Sequence, residues 1–201
     1  MKNSKKARLF SALPWLFETS RRDFYSWYLR LNLRLHRVTF GKNLQGNQCK
    51  IQSRGSIELG NNVDLWSYPD GENYKTCLLT YLPSSSIKIG NNCTLNGTVI
   101  HSRSKVVIGE NCMFGAGVVI MDSNFHSTSR DPAIRRPPDY AVDRPVVLGN
   151  NVWVGRNSII LKGVSIGDNS IVAAGSLVTR DIPPNQLFGG NPAQFIRILK
   201  E

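Results

Sequence analysis

The sequence predicts a mainly β fold, a parallel β-solenoid whose coils have three flat faces. Two observations predict it: one six-residue phrase recurs along the chain, and aliphatic residues return at every sixth position in its last third. An amphipathic helix would instead place apolar residues three and four positions apart. Three faces of six residues each make a coil of about 18 residues, a period typical of solenoids.

The recurring phrase is apolar-x-apolar-Gly-x-Asn. Its copies are VTFGKN from Val38, IELGNN from Ile57, IKIGNN from Ile87, VVIGEN from Val106, VVLGNN from Val146 and VSIGDN from Val164. Successive copies begin 19, 30, 19, 40 and 18 residues apart, so two coils carry insertions. Both insertions are rich in Pro, Ser, Asp or Gly and are predicted as loops, near 66–84 and 122–144. The repeats cover 38–184 and make about six coils.

The six-residue period also predicts the core. Aliphatic side chains recur at Leu148, Val154, Ile160, Ile166, Val172 and Val178, with a small or β-branched residue two places before. Because each coil hydrogen-bonds to the next one about 4.8 Å away, these side chains should stack in one inward column. Cys93 and Cys112 fall at the small inward positions and are predicted as core.

Charge is distributed unevenly along the 201 residues. Residues 1–54 hold 12 of the 25 Lys and Arg but only Glu18 and Asp23 among acids, within a net charge of +11. A basic segment on a nearly neutral body points to an anionic surface at one end. No nucleic-acid-binding motif accompanies it, which argues against nucleic acid.

Other features of the composition bound the class of protein. No apolar run of about 18 residues is present, so no membrane span is expected. The four cysteines show no CxxC or disulfide-framework spacing, so reduced thiols in a cytoplasmic protein are expected.

Segment 1–37 is predicted as a basic amphipathic helical segment. Its apolar residues Phe24, Trp27, Tyr28, Leu31 and Leu35 recur at helical spacing among arginines. Two interpretations stay open: the apolar face caps the open end of the solenoid, or it caps the end and also rests on an anionic membrane surface.

Segment 185–201 is predicted as a C-terminal tail with a short helix. Asn191 followed by Pro192 is a typical N-cap and first-turn signal.

The last third of the chain carries an ordered set of motifs: GNNVWVG, IGDNS, AAGS, DIPP and GNPA. In this set the chain resembles the hexapeptide-repeat acyltransferases, especially the maltose and galactoside acetyltransferases and the O-acetyltransferases of polysaccharide pathways. The resemblance covers 38–200 and is strongest over 146–197. It implies a left-handed parallel β-helix, a homotrimer with active sites between neighbouring subunits, and acetyl-CoA as co-substrate. The left hand rests on the resemblance alone, because parallel crossovers are usually right-handed.

Acetyl transfer to a hydroxyl or an amine needs a base, and histidine is suited to that role. His126, in MDSNFHS, stands where the resembling family has its catalytic histidine, so the resemblance implies that it is the general base. Asp122 is a candidate to orient the ring of His126, and a backbone carbonyl would serve equally.

His36 is predicted to be structural. With three dispersed histidines, a zinc site like that of the γ-type carbonic anhydrases, which share the fold, is not expected.

The resemblance also implies a binding strip for coenzyme A. Trp153 would line the pantetheine tunnel, and the amide of Arg156 would bind the oxyanion. After GNPA, where many relatives have Lys or Arg, stands Gln194, and Arg197 is expected to replace that phosphate contact in part. The residues predicted to bind the cofactor are Trp153, Gly155, Arg156, Ala173, Ala174, Thr179, Arg180 and Arg197.

The acceptor is predicted to be a sugar or a lipid-linked saccharide. Asn96, in CTLNGT, matches an acceptor-binding asparagine of the resembling sugar acetyltransferases, and the resemblance puts His101, near a turn between coils, close to the acceptor. Arg130 and Tyr140 lie in the second loop and are of the residue types that bind sugars.

The predicted activity is O-acetylation in cell-surface polysaccharide or lipopolysaccharide biosynthesis, in the cytoplasm and peripherally at the inner membrane face. The alternatives are N-acetylation of an amino sugar or xenobiotic, and a non-catalytic scaffold that needs neither His126 nor Trp153.

Overall fold

A computed structural model describes residues 22–67 and 74–200. Parallel strands wind into a three-sided prism of six coils in this described part, which confirms the predicted β-helix. Face A contains β1 (Thr39–Phe40), β4 (Ser56–Leu59), β7 (Ser86–Ile89), β10 (Lys105–Ile108), β13 (Val146–Leu148) and β16 (Ser165–Ile166). Face B contains β2 (Gln45–Gly46), β5 (Asp64–Trp66), β8 (Thr94–Asn96), β11 (Met113–Phe114), β14 (Trp153–Val154), β17 (Ile171–Val172), β19 (Gln186–Gly190) and β20 (Ala193–Ile198). Face C contains β3 (Cys49–Ser53), β6 (Thr76–Thr80), β9 (Val99–Ser102), β12 (Val119–Met121), β15 (Ile159–Ile160) and β18 (Leu177–Val178).

The predicted inward column is the core of the prism. Strand registers stack equivalent residues from coil to coil, for example Ile89 on Ile108 and Ile108 on Leu148, all buried. Cys93 and Cys112 are fully buried, and each thiol donates to a carbonyl of the next coil, Gly109 at 3.1 Å and Gly149 at 3.2 Å. The prediction that both cysteines are core is confirmed.

The Gly-x-Asn part of the repeat forms the turn from face A to face B. A Cβ atom on Gly90 would lie 2.6 Å from the carbonyl oxygen of Gly109, so only glycine fits between stacked turns. The asparagine takes a left-handed conformation that it tolerates better than most residues, and its side chain bonds to the next asparagine, as Asn62 Nδ2 does to Asn92 Oδ1 at 2.8 Å. At this turn the asparagines with a positive φ are Asn43, Asn62, Asn92, Asn111, Asn151, Asn169 and Asn185; Asn157, at the turn from face B to face C, also has a positive φ.

Helix α1 covers residues 22–35 of the described part, and it lies against the first coil with a face that differs from the predicted one. Leu29 and Leu33 are buried in the core, together with Ser26. The expected capping residues, Phe24, Trp27, Tyr28, Leu31 and Leu35, are instead exposed by 40–74%. That prediction was wrong because the narrow end of a triangular prism takes two leucines rather than a stripe of large aromatic rings. Residues 1–21 of the predicted segment lie outside the described residues.

The predicted C-terminal helix is wrong. Strand β19 pairs parallel with β17 and antiparallel with β20, so the tail is a hairpin that extends face B. The Asn191–Pro192 signal lies in the turn of this hairpin. The open edge of face B offers backbone hydrogen bonds to an added strand, and Phe188 packs edge to face on Phe195 at 6.0 Å between centroids. These contacts outweigh a local capping signal.

The two insertions differ from each other. The first is shorter than the predicted loop 66–84, because β6 already begins at Thr76. The second, which we call the long loop, runs over 122–145 between β12 and β13, close to the predicted bounds. It contains the short helix α2 (Pro132–Arg135) and a 3-10 helix (Pro138–Tyr140). In the described ranges, no helix has both the length and the apolar character needed to cross a bilayer.

Candidate active site

The long loop begins at a buried carboxylate. Asp122 accepts hydrogen bonds from the hydroxyl of Ser102 at 2.7 Å and from the backbone N–H groups of Arg103 at 2.7 Å and Ser104 at 2.9 Å. Both of its oxygens are therefore occupied by the preceding coil. The prediction that Asp122 orients the ring of His126 was wrong; Asp122 fixes the start of the loop to the wall of the prism.

His126 is oriented by a backbone carbonyl, the alternative that the sequence left open. Its Nδ1 atom lies 3.0 Å from the carbonyl oxygen of Arg136, at the end of α2. Because a carbonyl only accepts hydrogen bonds, Nδ1 carries the proton and donates it. In the neutral ring, Nε2 then keeps its lone pair, as a general base requires. No sequence signal identified Arg136, since any residue supplies a carbonyl.

The two ends of the long loop are held at one point on the prism. Arg103 Nε lies 3.3 Å from the carboxylate of Asp143, and Arg103 Nη2 donates to the carbonyl of Pro138 at 2.9 Å. The amide of Arg144 donates to the carbonyl of Asp122 at 2.8 Å. These bonds close the loop on itself and keep Arg136 within reach of His126.

Phe125, just before His126, has the left-handed φ of 60°, a conformation that is rare for a bulky residue and typical of functional sites. Its ring packs edge to face on Tyr81 at 5.1 Å and on His101 at 5.6 Å between centroids. The Tyr81 hydroxyl lies 2.8 Å from His101 Nδ1. Sequence reasoning missed both Tyr81 and Phe125, because neither belongs to a recognisable motif.

The environment of His101 favours its neutral form. Burial lowers the pKa of this imidazole, the charge of Asp122 acts in the opposite direction, and Lys50 lowers the pKa further. A neutral His101 is held by Tyr81 beside the segment that carries His126.

A cleft of about 530 Å³ opens beside His126, at the edge between faces C and A. Thr179, one of the predicted cofactor residues, lies in its wall together with Lys162. The volume lies within the usual range for small-molecule sites. The lining residues are Met121, Ser123, Asn124, His126, Ser127, Thr128, Leu161, Lys162 and Thr179.

The predicted pantetheine residues lie together around the corner between faces B and C. Trp153 points outward from β14 and is 48% exposed. A Cβ atom on Gly155 would lie 2.5 Å from the amide nitrogen of Ala174, so only glycine allows the backbone of Ala173 and Ala174 to pack this closely on the preceding coil. Arg156 follows on the same corner, with its guanidinium carbon 5.4 Å from the ring centroid of Tyr74.

The remaining predicted cofactor residues lie near the last coil. Arg180 Nη2 donates to the side chain of Gln194 at 3.1 Å. Arg197 is exposed on β20, opposite Leu187. The structure thus brings Gln194, which stands where many of the resembling proteins have a cation, into contact with Arg180.

The predicted acceptor residues are divided between two edges of face C. Asn96 ends β8 at the corner with face B, whereas Arg130 and the 58% exposed Tyr140 belong to the long loop. A face of six extended residues is roughly 20 Å wide. Trp153 and the neighbouring predicted pantetheine residues therefore lie at one edge of face C, and His126 lies at the opposite edge of the same chain.

Within 22–67 and 74–200, no three His, Cys, Asp or Glu side chains are placed to share a metal ion.

Comparisons with known proteins agree with this architecture. The family model described as bacterial transferase hexapeptide (six repeats) matches residues 145–180, and the hexapeptide repeat of succinyl-transferase matches 105–123. Galactoside O-acetyltransferase of Escherichia coli (strain K12) is 36% identical over 119 residues, 58% of this chain and 56% of that protein. A putative acetyltransferase of Saccharomyces cerevisiae is 42% identical over 118 residues, 58% of each protein.

A solved structure of a galactoside acetyltransferase in complex with coenzyme A has 25% identity and a TM-score of 0.53, over 81% of this chain and 65% of that one. The chain spans a little over half the length of the two sequence relatives. The repeats, the three-sided coils and these matches agree with one another: the chain is a left-handed parallel β-helix that carries the hexapeptide repeats of bacterial transferases, and it is similar to the hexapeptide-repeat acyltransferases.

Proposed function

We propose that this protein transfers an acetyl group from acetyl-CoA to a hydroxyl of a sugar, with His126 as the general base. The observation that carries the proposal is the His126 ring, whose Nδ1–H donates to the Arg136 carbonyl beside a cleft of about 530 Å³. The names of the relatives support the same chemistry, since one is a galactoside O-acetyltransferase and a solved neighbour holds coenzyme A.

In the proposed reaction, Nε2 of His126 takes the proton of the acceptor hydroxyl while the oxygen of that hydroxyl attacks the carbonyl carbon of the thioester. The C–S bond then breaks, and His126 returns the proton to the sulfur of coenzyme A. The Arg136 carbonyl stabilises the imidazolium that exists between these two steps, since it accepts the Nδ1–H bond throughout. We propose the backbone amide of Arg156 as a donor to the carbonyl oxygen while that oxygen carries negative charge.

The site requires a second copy of the chain. His126 and Trp153 occupy opposite edges of face C, and the outward residues of this face form an apolar column: Cys77, Val99, Val119, Ile159 and Leu177. On face A the corresponding column includes Glu58 and Lys88. An apolar outer face is usually buried against a partner. We propose a homotrimer in which the His126 edge of one copy meets the Trp153 edge of its neighbour.

We assign acceptor binding to Asn96, His101, Arg130 and Tyr140. His101 is the best supported of these, because Tyr81 fixes its ring and Phe125 links it to His126 by direct packing. The acceptor we propose is a saccharide of a cell-surface polysaccharide or its lipid-linked precursor, acetylated in the cytoplasm at the inner face of the membrane.

The test is release of free thiol from acetyl-CoA in the presence of sugars, amino sugars and lipid-linked oligosaccharides. His126→Gln should lower acceptor-dependent release by at least about 100-fold. His36→Gln is a matched control, because the His36 ring, just after helix α1, makes the same kind of Nδ1 contact, 2.9 Å from the carbonyl oxygen of Asn32. This control should keep wild-type activity.

Three outcomes decide between the functions. Release that needs a hydroxyl acceptor and His126 supports the proposal. Release that occurs only with amines would move the acceptor class to amino sugars or xenobiotics. A folded protein that fails to bind acetyl-CoA would contradict the enzyme and support a scaffold.

A further inference from the structure

Helix α1 has two apolar faces rather than one. The inner face, Leu29 and Leu33, closes the first coil. We call the opposite side the outer face of α1: Phe24, Trp27, Tyr28, Leu31 and Leu35, all exposed. At 3.6 residues per turn these five residues fall within an arc of about 100°, centred opposite Leu29 and Leu33. Among the described residues of α1, Leu29 and Leu33 enter the core without the outer face, so closing the prism does not account for the outer face.

Cations outnumber acids near this apolar face, and Asp23 is the only acidic residue in the described part of α1. Between Asp23 and Glu58 the chain contains six Lys and Arg and no acidic residue. Several of them are held near the prism end by specific contacts: Arg30 Nε donates to the carbonyl of Leu44 at 3.0 Å, and the Arg34 guanidinium lies 5.6 Å from the Phe40 ring centroid. The end of the prism therefore combines an exposed aromatic stripe with fixed positive charge. The six cations are Arg30, Arg34, Arg37, Lys42, Lys50 and Arg54.

We propose that the outer face of α1 docks on the surface of an anionic lipid bilayer. Trp27 and Tyr28 have an apolar ring and a polar tip, the combination that is enriched at membrane–water interfaces. Leu31, Leu35 and Phe24 supply apolar area that enters the boundary between headgroups and acyl chains, while the cations attract anionic headgroups. Leucines in the same stripe favour lipid over single-stranded nucleic acid, because they offer no ring on which a base could stack.

Docking at this end sets the position of the candidate site. Helix α1 precedes the first coil, and His126 follows β12, the last strand of the fourth coil. With about 4.8 Å per coil, the His126 loop lies roughly 15–20 Å along the prism axis from the docked end. A saccharide that extends from a lipid carrier can span this distance. This consequence for the acceptor rests on the proposed function, whereas the docking itself does not.

The docking is tested by co-sedimentation of the full chain with vesicles of phosphatidylcholine, with and without phosphatidylglycerol. We expect at least about tenfold stronger binding to the anionic vesicles at low salt, and a loss of this preference at high salt. The double variant Trp27→Ser/Leu31→Ser should bind anionic vesicles at least about tenfold more weakly. The control Val147→Ser removes an exposed apolar side chain from face A and should bind like the wild type.

Unchanged vesicle binding by the double variant, or equal binding to both kinds of vesicle, would overturn the proposal. So would a larger assembly that the double variant dissociates, or tight binding to single-stranded RNA without binding to vesicles. Both altered side chains are exposed, so the variant should unfold at the wild-type temperature. Acetyl transfer to a water-soluble sugar, measured without vesicles, separates a failure of docking from a failure of the proposed enzyme.

Discussion

The wall of the prism and the long loop are stabilised in opposite ways. In the wall, one contact is repeated at successive turns, as where Asn62 bonds to Asn92 and Asn92 bonds to Asn111. In the long loop each contact occurs once: Asp122 on the amides of Arg103 and Ser104, and His126 on the Arg136 carbonyl. Loss of one contact in the wall should therefore lower stability and spare activity, whereas loss of one contact in the loop should impair the site directly.

The largest expected effect is that of Asp122→Asn. The carboxylate accepts three hydrogen bonds with its two oxygens, and an amide has only one acceptor atom, so at least one buried donor loses its partner. The free energy of unfolding should fall by about 2–4 kcal/mol, and the rate of the proposed acetyl transfer by about 100-fold, because His126, the proposed base, loses its fixed position. Urea unfolding and steady-state rates measure the two effects.

Asp181→Asn is the matched control for this substitution. Asp181 is exposed and accepts a hydrogen bond from the amide of Ser165 at 2.7 Å. We expect little change in either measurement, since solvent replaces the lost interaction. If Asp122→Asn kept wild-type activity despite lower stability, the long loop would not depend on this anchor.

A smaller effect is expected for Asn92→Ala in the wall. Asn92 has a φ of 57° and bonds to the side chains of Asn62 and Asn111. The free energy of unfolding should fall by about 1–3 kcal/mol, through both the unfavourable φ of alanine and the lost bonds. The rate of acetyl transfer should stay within about twofold of the wild type.

Asn92→Gly separates the two causes, because glycine adopts the left-handed conformation freely and loses only the side-chain bonds. Urea unfolding of this variant should place it between the wild type and Asn92→Ala. A large loss of activity in either variant, in a protein that is still folded at the assay temperature, would contradict the division between wall and loop.

The smallest effect concerns pH. Burial lowers the pKa of His101 in the folded protein below its ordinary value of 6.5, so the unfolded chain takes up a proton at a higher pH than the folded protein does. Stability is complete above that ordinary value and falls as the pH decreases from it towards the folded value. The melting temperature of the wild type should therefore fall on acidification more steeply than that of His101→Gln. Parallel curves for the two proteins would show that His101 does not contribute.

The sequence predicted the wall well because the wall repeats itself. Six copies of one phrase reinforce a single interpretation, and the burial of Cys93 and Cys112 follows from their place in it. The features that occur once were harder to predict. His126 could be placed by its motif, but its partner Arg136 acts through a carbonyl that every residue has.

The two ends of the prism were misread for a related reason. Local patterns at both ends are genuine, but tertiary packing decides their use. Face B accepts the β20 hairpin at an open edge although Asn191–Pro192 signals a helix start. Two leucines of α1 fill the other end, and the larger aromatic residues stay outside.

The ladder of asparagines has a consequence for inheritance. The asparagine of one coil bonds to the equivalent asparagines of the coils before and after it, as Asn92 does. A duplicated coil would therefore find matching asparagines on both sides, and deletion of a coil would bring together two asparagines that still match. The length of the prism can thus change in steps of one coil through ordinary gene rearrangement, without a new interface. The long loop lies outside that ladder and can diverge separately, so the length of the prism and the surroundings of His126 are free to evolve at different rates.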